Sequence, residues 1–127
     1  MVAGASLGGM KPLGVHHVAI NVTDVGEAVA FYTKRLGLTV RTDRPGDLGV
    51  TGAWMDAADQ QVHLVEAPPP GSAGQHFALH VEDLDSAIAE LRDAGVEVTD
   101  GFSVGTDRQA FLNDPCGNTI ELHQVGA

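Results

Sequence analysis

The sequence predicts an α+β fold made of two repeated βαβββ modules, each a curved sheet with a helix on its outer face. Three observations support this prediction. HVAINVTDVGEA, starting at His17, resembles HFALHVEDLDSA, starting at His76, at a spacing of 59 residues. AWMDAADQQVHLVE and FLNDPCGNTIELHQ align with Asp56 on Asp114, at a spacing of 58 residues. EAPPPGSAGQ, which lies between the two halves, has the composition of a linker. Two matches at nearly equal spacing indicate a duplicated module.

The duplication also predicts how the chain is organised. We expect a Gly-rich tail over residues 1–14, a first module over 15–66, a Pro/Gly linker over 67–75 and a second module over 76–125. A chain of 127 residues is the right length for one domain, so both modules should share one overall structure.

The first module should begin with a strand followed by a helix. HVAINV alternates apolar and polar residues and leads to Asp24, which suits a helix N-cap, with Glu27 at the capping-box position. Gly37 suits the end of the helix, since glycine adopts a left-handed backbone easily. The apolar residues between these signals recur at helical spacing: Ala28, Phe31, Tyr32 and Leu36.

The second module repeats these signals. HFALHV is the predicted strand, Asp83 the N-cap and Gly95 the stop. The apolar stripe of its helix is Leu84, Ala87, Ile88 and Leu91. Short strands should follow each helix: LTVRT, GVTGAWMD and QVHLVE in the first module, then VEVTD, AFLND and TIELHQ in the second. DPCGN, between the last two strands, is typical of a hairpin turn.

Composition excludes several classes of partner. Lys and Arg number 7 against 17 Asp and Glu, a formal net charge of −10 at pH 7. This charge is the wrong sign for binding nucleic acid or an anionic membrane surface. No apolar run approaches the ~18 residues of a membrane span, and MVAGASLGGMKPLG lacks the features of a signal peptide. The single cysteine permits no intrachain disulfide. We therefore expect a cytoplasmic protein that binds a small molecule.

Strand alternation predicts which side chains face the concave surface of each sheet. In HFALHV the apolar residues should pack under the helix, so His76 and His80 should face the concave side. The repeat transfers this orientation to His17 and Asn21 in the first strand of the first module.

The last strand of each module adds further side chains to this surface. The same alternation turns His63 inward in the first module, and Glu121 and His123 inward in the second. Five of the six histidines should therefore line one hollow, with His16 pointing away.

Four of these inward residues are related by the repeat, His17 to His76 and His63 to Glu121. All four are metal-ligand types, and this set suits one divalent ion of zinc, nickel, cobalt, iron or manganese. We thus expect the two curved sheets to form a cup around a metal site. Four protein ligands leave two positions on an octahedral ion, where a substrate with adjacent oxygens could chelate, such as an α-hydroxycarbonyl.

Three segments resemble the vicinal oxygen chelate superfamily, which includes glyoxalases, bleomycin-resistance proteins, fosfomycin-resistance transferases, extradiol dioxygenases and methylmalonyl-CoA epimerases. They are HHVAINVTDVGEAVAFYTKRLGL, HFALHVEDLDSAIAELRDAGV and RQAFLNDPCGNTIELHQ, and the likeness runs from Val15 to Val125. The resemblance implies paired βαβββ modules that close around a metal, often within or across a homodimer. Matched to the family pattern, the ligands are the first-strand and last-strand residues His17, His63, His76 and Glu121.

The resemblance leaves three functions open. The first is a glyoxalase-like lyase, isomerase or epimerase that works through a metal-bound enediolate, with Glu121, His80 or His123 as the base. The second is a non-haem Fe(II) extradiol-type dioxygenase, which would use His17, His76 and Glu121. The third is a protein that sequesters an antibiotic without turnover.

Three further residues are candidates for substrate binding. Arg108 would clamp a carboxylate by a bidentate contact, or else be a solvated loop residue. Trp54 would offer a stacking surface, or else be a core or dimer contact. Asn21 would contribute to the polar lining. The sequence identifies neither the metal nor the substrate.

Overall fold

The computed structural model describes residues 9–71 and 74–126. Three parts of the chain lie outside the described residues. They are residues 1–8 of the predicted tail, residues 72 and 73 of the predicted linker, and residue 127. Within the described part the chain forms eight strands and two helices. In chain order they are β1 (His17–Val22), α1 (Val25–Lys34), β2 (Thr39–Val40), β3 (Gly52–Ala57), β4 (Gln60–Glu66), β5 (His76–His80), α2 (Leu84–Asp93), β6 (Phe102–Val104), β7 (Asp107–Asn113) and β8 (Thr119–Gln124).

Each module forms its own mixed four-stranded sheet. The strand order is β1-β4-β3-β2 in the first module and β5-β8-β7-β6 in the second. The first strand runs parallel to the last strand in both sheets, while the remaining neighbours are antiparallel. The prediction of an α+β fold with two βαβββ modules is therefore confirmed.

Both helices begin at the predicted aspartates. Asp24 accepts the backbone N–H of Glu27 at 2.9 Å, and Asp83 accepts that of Ser86 at 3.1 Å. These bonds satisfy backbone donors that have no partner inside the helix. Gly95 ends α2 with a φ of +85°, and the next N–H, that of Val96, bonds back to the helix at 2.9 Å.

The hydrophobic core lies between each helix and the face of the sheet that this helix covers. The strand residues predicted to face the helices pack there: Val62 and Leu64 are 2% and 1% exposed, while Phe77 and Leu79 are half-buried. The largest fully buried side chains come from both modules: Tyr32, Met55, Leu64, Leu84, Ile120 and Val22. The opposite face of each sheet, away from its helix, carries the more polar side chains.

The strand predicted at VEVTD is wrong in its position. Only one isolated bridge, from Val98 to Leu112, falls in that segment, and the regular strand begins at Phe102. The carbonyl oxygen of Val98 accepts the guanidinium of Arg92 at 2.8 Å, and the Oγ1 of Thr99 accepts the N–H of Phe111 at 2.8 Å. Side chains thus add to the few backbone hydrogen bonds of this segment, such as that from the N–H of Thr99 to the carbonyl oxygen of Phe111 at 3.0 Å.

The two modules meet at the turn between β7 and β8. The side-chain amide of Asn118 in this turn donates to the carbonyl oxygen of Asn21 at 2.9 Å. The hydroxyl of Thr23 lies 3.5 Å from the sulfur of Cys116. The turn therefore joins the second module to the end of β1. Among the described residues, neither helix is long and apolar enough to cross a membrane.

Candidate functional site

The repeat places the predicted ligands at equivalent positions in the two sheets. His17 pairs with Gln61 across the parallel strands β1 and β4, and His63 lies two residues farther along β4. His76 pairs with Thr119 across β5 and β8, and Glu121 lies two residues farther along β8. Each module therefore holds one pair of candidate ligands on the face away from its helix. We call His17 and His63 the first half-site, and His76 and Glu121 the second half-site.

The two rings of the first half-site belong to a stack of three rings across neighbouring strands. The His63 ring lies between His17, with centroids 3.9 Å apart, and Trp54, with centroids 4.6 Å apart. Both interplanar angles are 12°, so the rings are nearly parallel. His63 is only 8% exposed. Trp54, a predicted substrate contact, is thus placed directly against a predicted ligand.

The surroundings of His63 favour its neutral form. Burial lowers the pKa of His63, and the positive charges of His17, His16 and two nearby arginines lower it further. Its Nε2 donates to the Oε1 of Gln61 at 2.8 Å, which leaves the lone pair on Nδ1. A neutral imidazole with a free lone pair is the form that binds a metal ion.

His16 lies closer to this half-site than strand alternation predicts. Its Nδ1 is 2.9 Å from the Nδ1 of His17, a hydrogen bond in which one ring donates. The residue precedes β1, so the alternation of the strand does not fix its direction. His16 is therefore a neighbour of the first half-site that the sequence prediction placed elsewhere.

The second half-site is part of a hydrogen-bonded network centred on Glu121. Its Oε1 lies 3.0 Å from the Nε2 of His76. Its Oε2 accepts the Nδ1–H of His123 at 2.6 Å and the side-chain amide of Gln109 at 3.0 Å. The Nε2 of His123 in turn donates to Asp107 at 2.7 Å. Three of the predicted site residues therefore lie together, with Gln109 and Asp107 as further members.

The charges of this network are set by its hydrogen bonds. Burial by itself would raise the pKa of Glu121, but the bonds from His123 and His76 outweigh it, and the pKa lies below its ordinary value. The bonds that His123 donates to Asp107 and Glu121 raise the pKa of His123. These hydrogen bonds therefore favour the protonated form of His123 and the ionised form of Glu121.

The two half-sites do not merge into one cluster within the described part of the chain. No three histidine, cysteine, aspartate or glutamate side chains of residues 9–71 and 74–126 are grouped so that they could hold a metal ion. One chain thus presents two separate pairs of candidate ligands. The expected cup around a single site therefore stays a prediction.

Two of the other predicted site residues lie near the second half-site, because His80 pairs with His123 across β5 and β8 and Asn21 lines the same cavity as His76. His80 is exposed at the end of β5 and lines a cavity of about 760 Å³ between the C-terminal end of α1 and α2. Asn21 donates to the carbonyl oxygen of Pro68 at 3.1 Å and lines a cavity of about 550 Å³ between β1 and β5. Arg108 forms an ion pair of 3.0 Å with Asp85, at the start of α2.

Two glutamines next to the proposed ligands escaped the sequence prediction. Gln61 contacts His63, and Gln109 contacts Glu121. Gln109 lies on β7 two residues before Phe111, which pairs with Glu121, so strand alternation alone would have placed it on the same face.

Comparison with known proteins gives one family match that spans most of the chain. The model described as the Glyoxalase/Bleomycin resistance protein/Dioxygenase superfamily matches residues 14–122. A 2-epi-5-epi-valiolone epimerase from Actinomyces sp is 31% identical over 149 residues, which cover 91% of this chain and 81% of the epimerase.

Two solved structures extend the comparison. A member of the same superfamily from Sphaerobacter thermophilus superposes with a TM-score of 0.76 at 26% identity, covering 90% of this chain and 98% of the other. TnmS3, an antibiotic binding protein from Streptomyces sp. CB03234, superposes with a TM-score of 0.75 at 31% identity, covering 91% and 98%. Similar proteins thus include both an enzyme and a binding protein.

Proposed function

The chain belongs to the glyoxalase/bleomycin resistance protein/dioxygenase superfamily, and from this membership we propose that it is a metal-dependent, glyoxalase-like enzyme. In this proposal it acts as a lyase, isomerase or epimerase on a small substrate with two adjacent oxygens. The observation that carries the proposal is the pair of equivalent half-sites, one in each module, made of metal-ligand residue types. The similar epimerase supports an enzymatic role.

The chemistry of the donor groups fits a divalent metal. The lowered pKa of His63 favours its neutral form, and the lowered pKa of Glu121 favours its ionised form. The Nδ1–H of His76 donates to the carbonyl oxygen of Gly74 at 2.9 Å, which directs Nε2 towards the site. A bound ion would polarise the substrate's oxygens and stabilise negative charge on them.

We further propose that two copies of the chain complete each site. Each half-site offers two ligands, whereas the predicted metal site has four. Among the described residues of one chain, no three candidate ligands are grouped so that they could hold a metal ion. In a homodimer, the first half-site of one protomer would face the second half-site of its partner.

Glu121 is the best placed of the three predicted bases. His123 is held between two carboxylates, and His80 lines a different cavity. The lowered pKa of Glu121 favours its ionised form, and its Oε1 faces the half-site. Once released from the metal, this oxygen would accept the proton from the carbon next to the substrate's carbonyl group. His123 would stay hydrogen-bonded to the other oxygen and hold the carboxyl group in place during the transfer.

Aromatic side chains would bind the part of the substrate that does not chelate. Phe111 lies opposite Glu121 on β7, and its ring meets His76 edge-on with centroids 5.4 Å apart. Phe102 stacks on Phe111 with centroids 6.0 Å apart and is 45% exposed. An apolar surface beside polar groups is typical of small-molecule sites. A flat or apolar substituent on the substrate suits this surface.

A second candidate function is sequestration without turnover. The 31% identity to an antibiotic binding protein favours it, as do the exposed aromatic rings. This candidate predicts saturable binding of a ligand and no product by mass spectrometry. The enzymatic proposal predicts exchange or transfer of a proton on a bound α-hydroxycarbonyl or thioester.

The test begins with metal content. The chain is loaded in turn with zinc, nickel, cobalt, iron and manganese, and bound ions are counted for the wild type, His63→Ala and the control His80→Ala. We expect one ion per chain, weaker binding in His63→Ala, and deuterium exchange at the substrate's α-carbon. No bound metal under any condition would overturn the proposal. Iron bound equally without His63, with oxygen consumption, would indicate the dioxygenase.

A further inference from the structure

The two carboxylate oxygens of Glu121 have different surroundings. Oε2 accepts two hydrogen bonds, from the Nδ1 of His123 at 2.6 Å and from the Nε2 of Gln109 at 3.0 Å. Oε1 faces His76 at 3.0 Å, the other candidate ligand of the same half-site. One oxygen is therefore occupied by groups of the second sheet, while the other is directed at the proposed site.

The donor His123 makes a second hydrogen bond through the other nitrogen of its ring. Its Nε2 donates to the Oδ2 of Asp107 at 2.7 Å, and the Oδ1 of Asp107 accepts the backbone N–H of Gly126 at 2.8 Å. A continuous chain of hydrogen bonds thus runs from the backbone after β8, through Asp107 and His123, to Glu121. Gln109 pairs with His123 across β7 and β8, so both donors reach Glu121 from the same face.

We propose that Gln109 and the Asp107–His123 pair are positioning residues for Glu121. They occupy Oε2, and they thereby present Oε1 alone to a ligand or a reacting proton. The assignment rests on the proposed function, because it takes Glu121 as a ligand. A carboxylate without such partners can turn about its last side-chain bond and offer either oxygen or both.

The exposure of the network indicates orientation as its main role. The side chains of His123 and Asp107 are 26% and 31% exposed, so water competes for their hydrogen bonds. Such bonds add little to stability, yet they still restrict the direction of the buried Glu121. Loss of a residue that orients a metal ligand commonly weakens metal binding by about 10- to 100-fold.

The test uses Co²⁺ as the probe and the full-length chain as the protein. Wild type is compared with Gln109→Leu, which removes one donor, and with Asp107→Asn, which removes the ionic partner of His123. The matched controls are Gln60→Leu and Asp100→Asn, both at exposed positions. We measure the Kd for Co²⁺, the visible absorption bands of the bound ion and the thermal unfolding midpoint.

We expect both test variants to raise the Kd about tenfold or more and to shift the absorption bands, with little change in the midpoint. The controls should match the wild type. Variants that bind Co²⁺ like the wild type, with the same spectrum, would overturn the positioning role and leave the metal site standing. A wild type that binds no Co²⁺ would overturn both the proposed function and this assignment. If Asp107→Asn fails to fold, the result for Gln109→Leu decides.

Discussion

The hydroxyl of Tyr32 donates a hydrogen bond of 2.8 Å to the Oδ2 of Asp114, which joins helix α1 of the first module to the β7–β8 turn of the second. Tyr32 is fully buried and Asp114 is 5% exposed. Burial, together with the neighbouring carboxylate, raises the pKa of Tyr32 well above its ordinary value, so the hydroxyl remains a donor. The Oδ1 of Asp114 also accepts the backbone N–H groups of Cys116 and Asn118, each at 2.9 Å. The aspartate of DPCGN therefore shapes the turn and fastens it to the other module.

Tyr32→Phe should lower the free energy of unfolding by about 1–3 kcal/mol, because it leaves the buried Asp114 without a donor from the first module. Urea denaturation followed by circular dichroism measures the change. Asp114→Asn and the double variant complete a cycle that isolates the coupling between the two residues. Additive effects in this cycle would contradict the proposed link between the modules.

The stability of the metal-free protein should depend on pH through the hydrogen-bonded network around Glu121. His123 has a raised pKa, so its contribution is present below the ordinary histidine value of 6.5 and is lost as pH rises through the folded value. Glu121 and Asp107 have lowered pKa values, so their contributions are present above their ordinary values of 4.5 and 3.8 and are lost as pH falls through the folded values. The small contribution of this network to stability should therefore be greatest in mildly acidic solution.

His123→Gln provides the comparison for this dependence. The difference in unfolding free energy between wild type and variant, measured with a chelator present, should be largest between the ordinary values of Glu121 and His123, 4.5 and 6.5. It should shrink on the alkaline side once the pH passes the raised pKa of His123. A difference that stays constant over this range would show that the charges contribute nothing.

Trp54 should report directly on the first half-site, since it is the only tryptophan in the chain and stacks on His63. Adding Zn²⁺, which is neither redox-active nor paramagnetic, should change the intrinsic fluorescence of the wild type as His63 binds the ion. His63→Ala should abolish the response, and His80→Ala should retain it. The same titration curve for all three proteins would place the zinc elsewhere.

The sequence predicted the fold well, because the relevant signals are local and occur twice. Asp24 and Asp83 cap their helices as expected. Strand alternation also placed His63 and Glu121 on the face away from the helices. These predictions needed only the period of a strand and the position of a cap.

Predictions that depended on where a strand begins were less reliable. Arg108 was expected just before the strand AFLND, as a clamp for a substrate carboxylate or as a solvated loop residue, but β7 already begins at Asp107. Arg108 therefore alternates with Gln109 and shares the helix side with Ala110, where it meets Asp85. The relative placement of the modules depends on contacts between residues far apart in the chain, such as Tyr32 and Asp114, which have no local signal.

Phe102→Ala should change ligand preference and leave the fold intact. The ring is 45% exposed, so its loss should shift the unfolding midpoint little, as for the control Val40→Ala at a residue that is 42% exposed. In the metal-loaded wild type, an aromatic hydroxy acid such as mandelate should bind more tightly than lactate, because its ring can stack on Phe102. In the variant, the ratio of the Kd for lactate to the Kd for mandelate should be about three- to tenfold smaller, which corresponds to the loss of one aromatic contact. Isothermal titration with both acids measures it, and gel filtration monitors the oligomeric state. Equal losses for mandelate and lactate, or dissociation of a dimer, would show that Phe102 serves the subunit contact rather than the substrate.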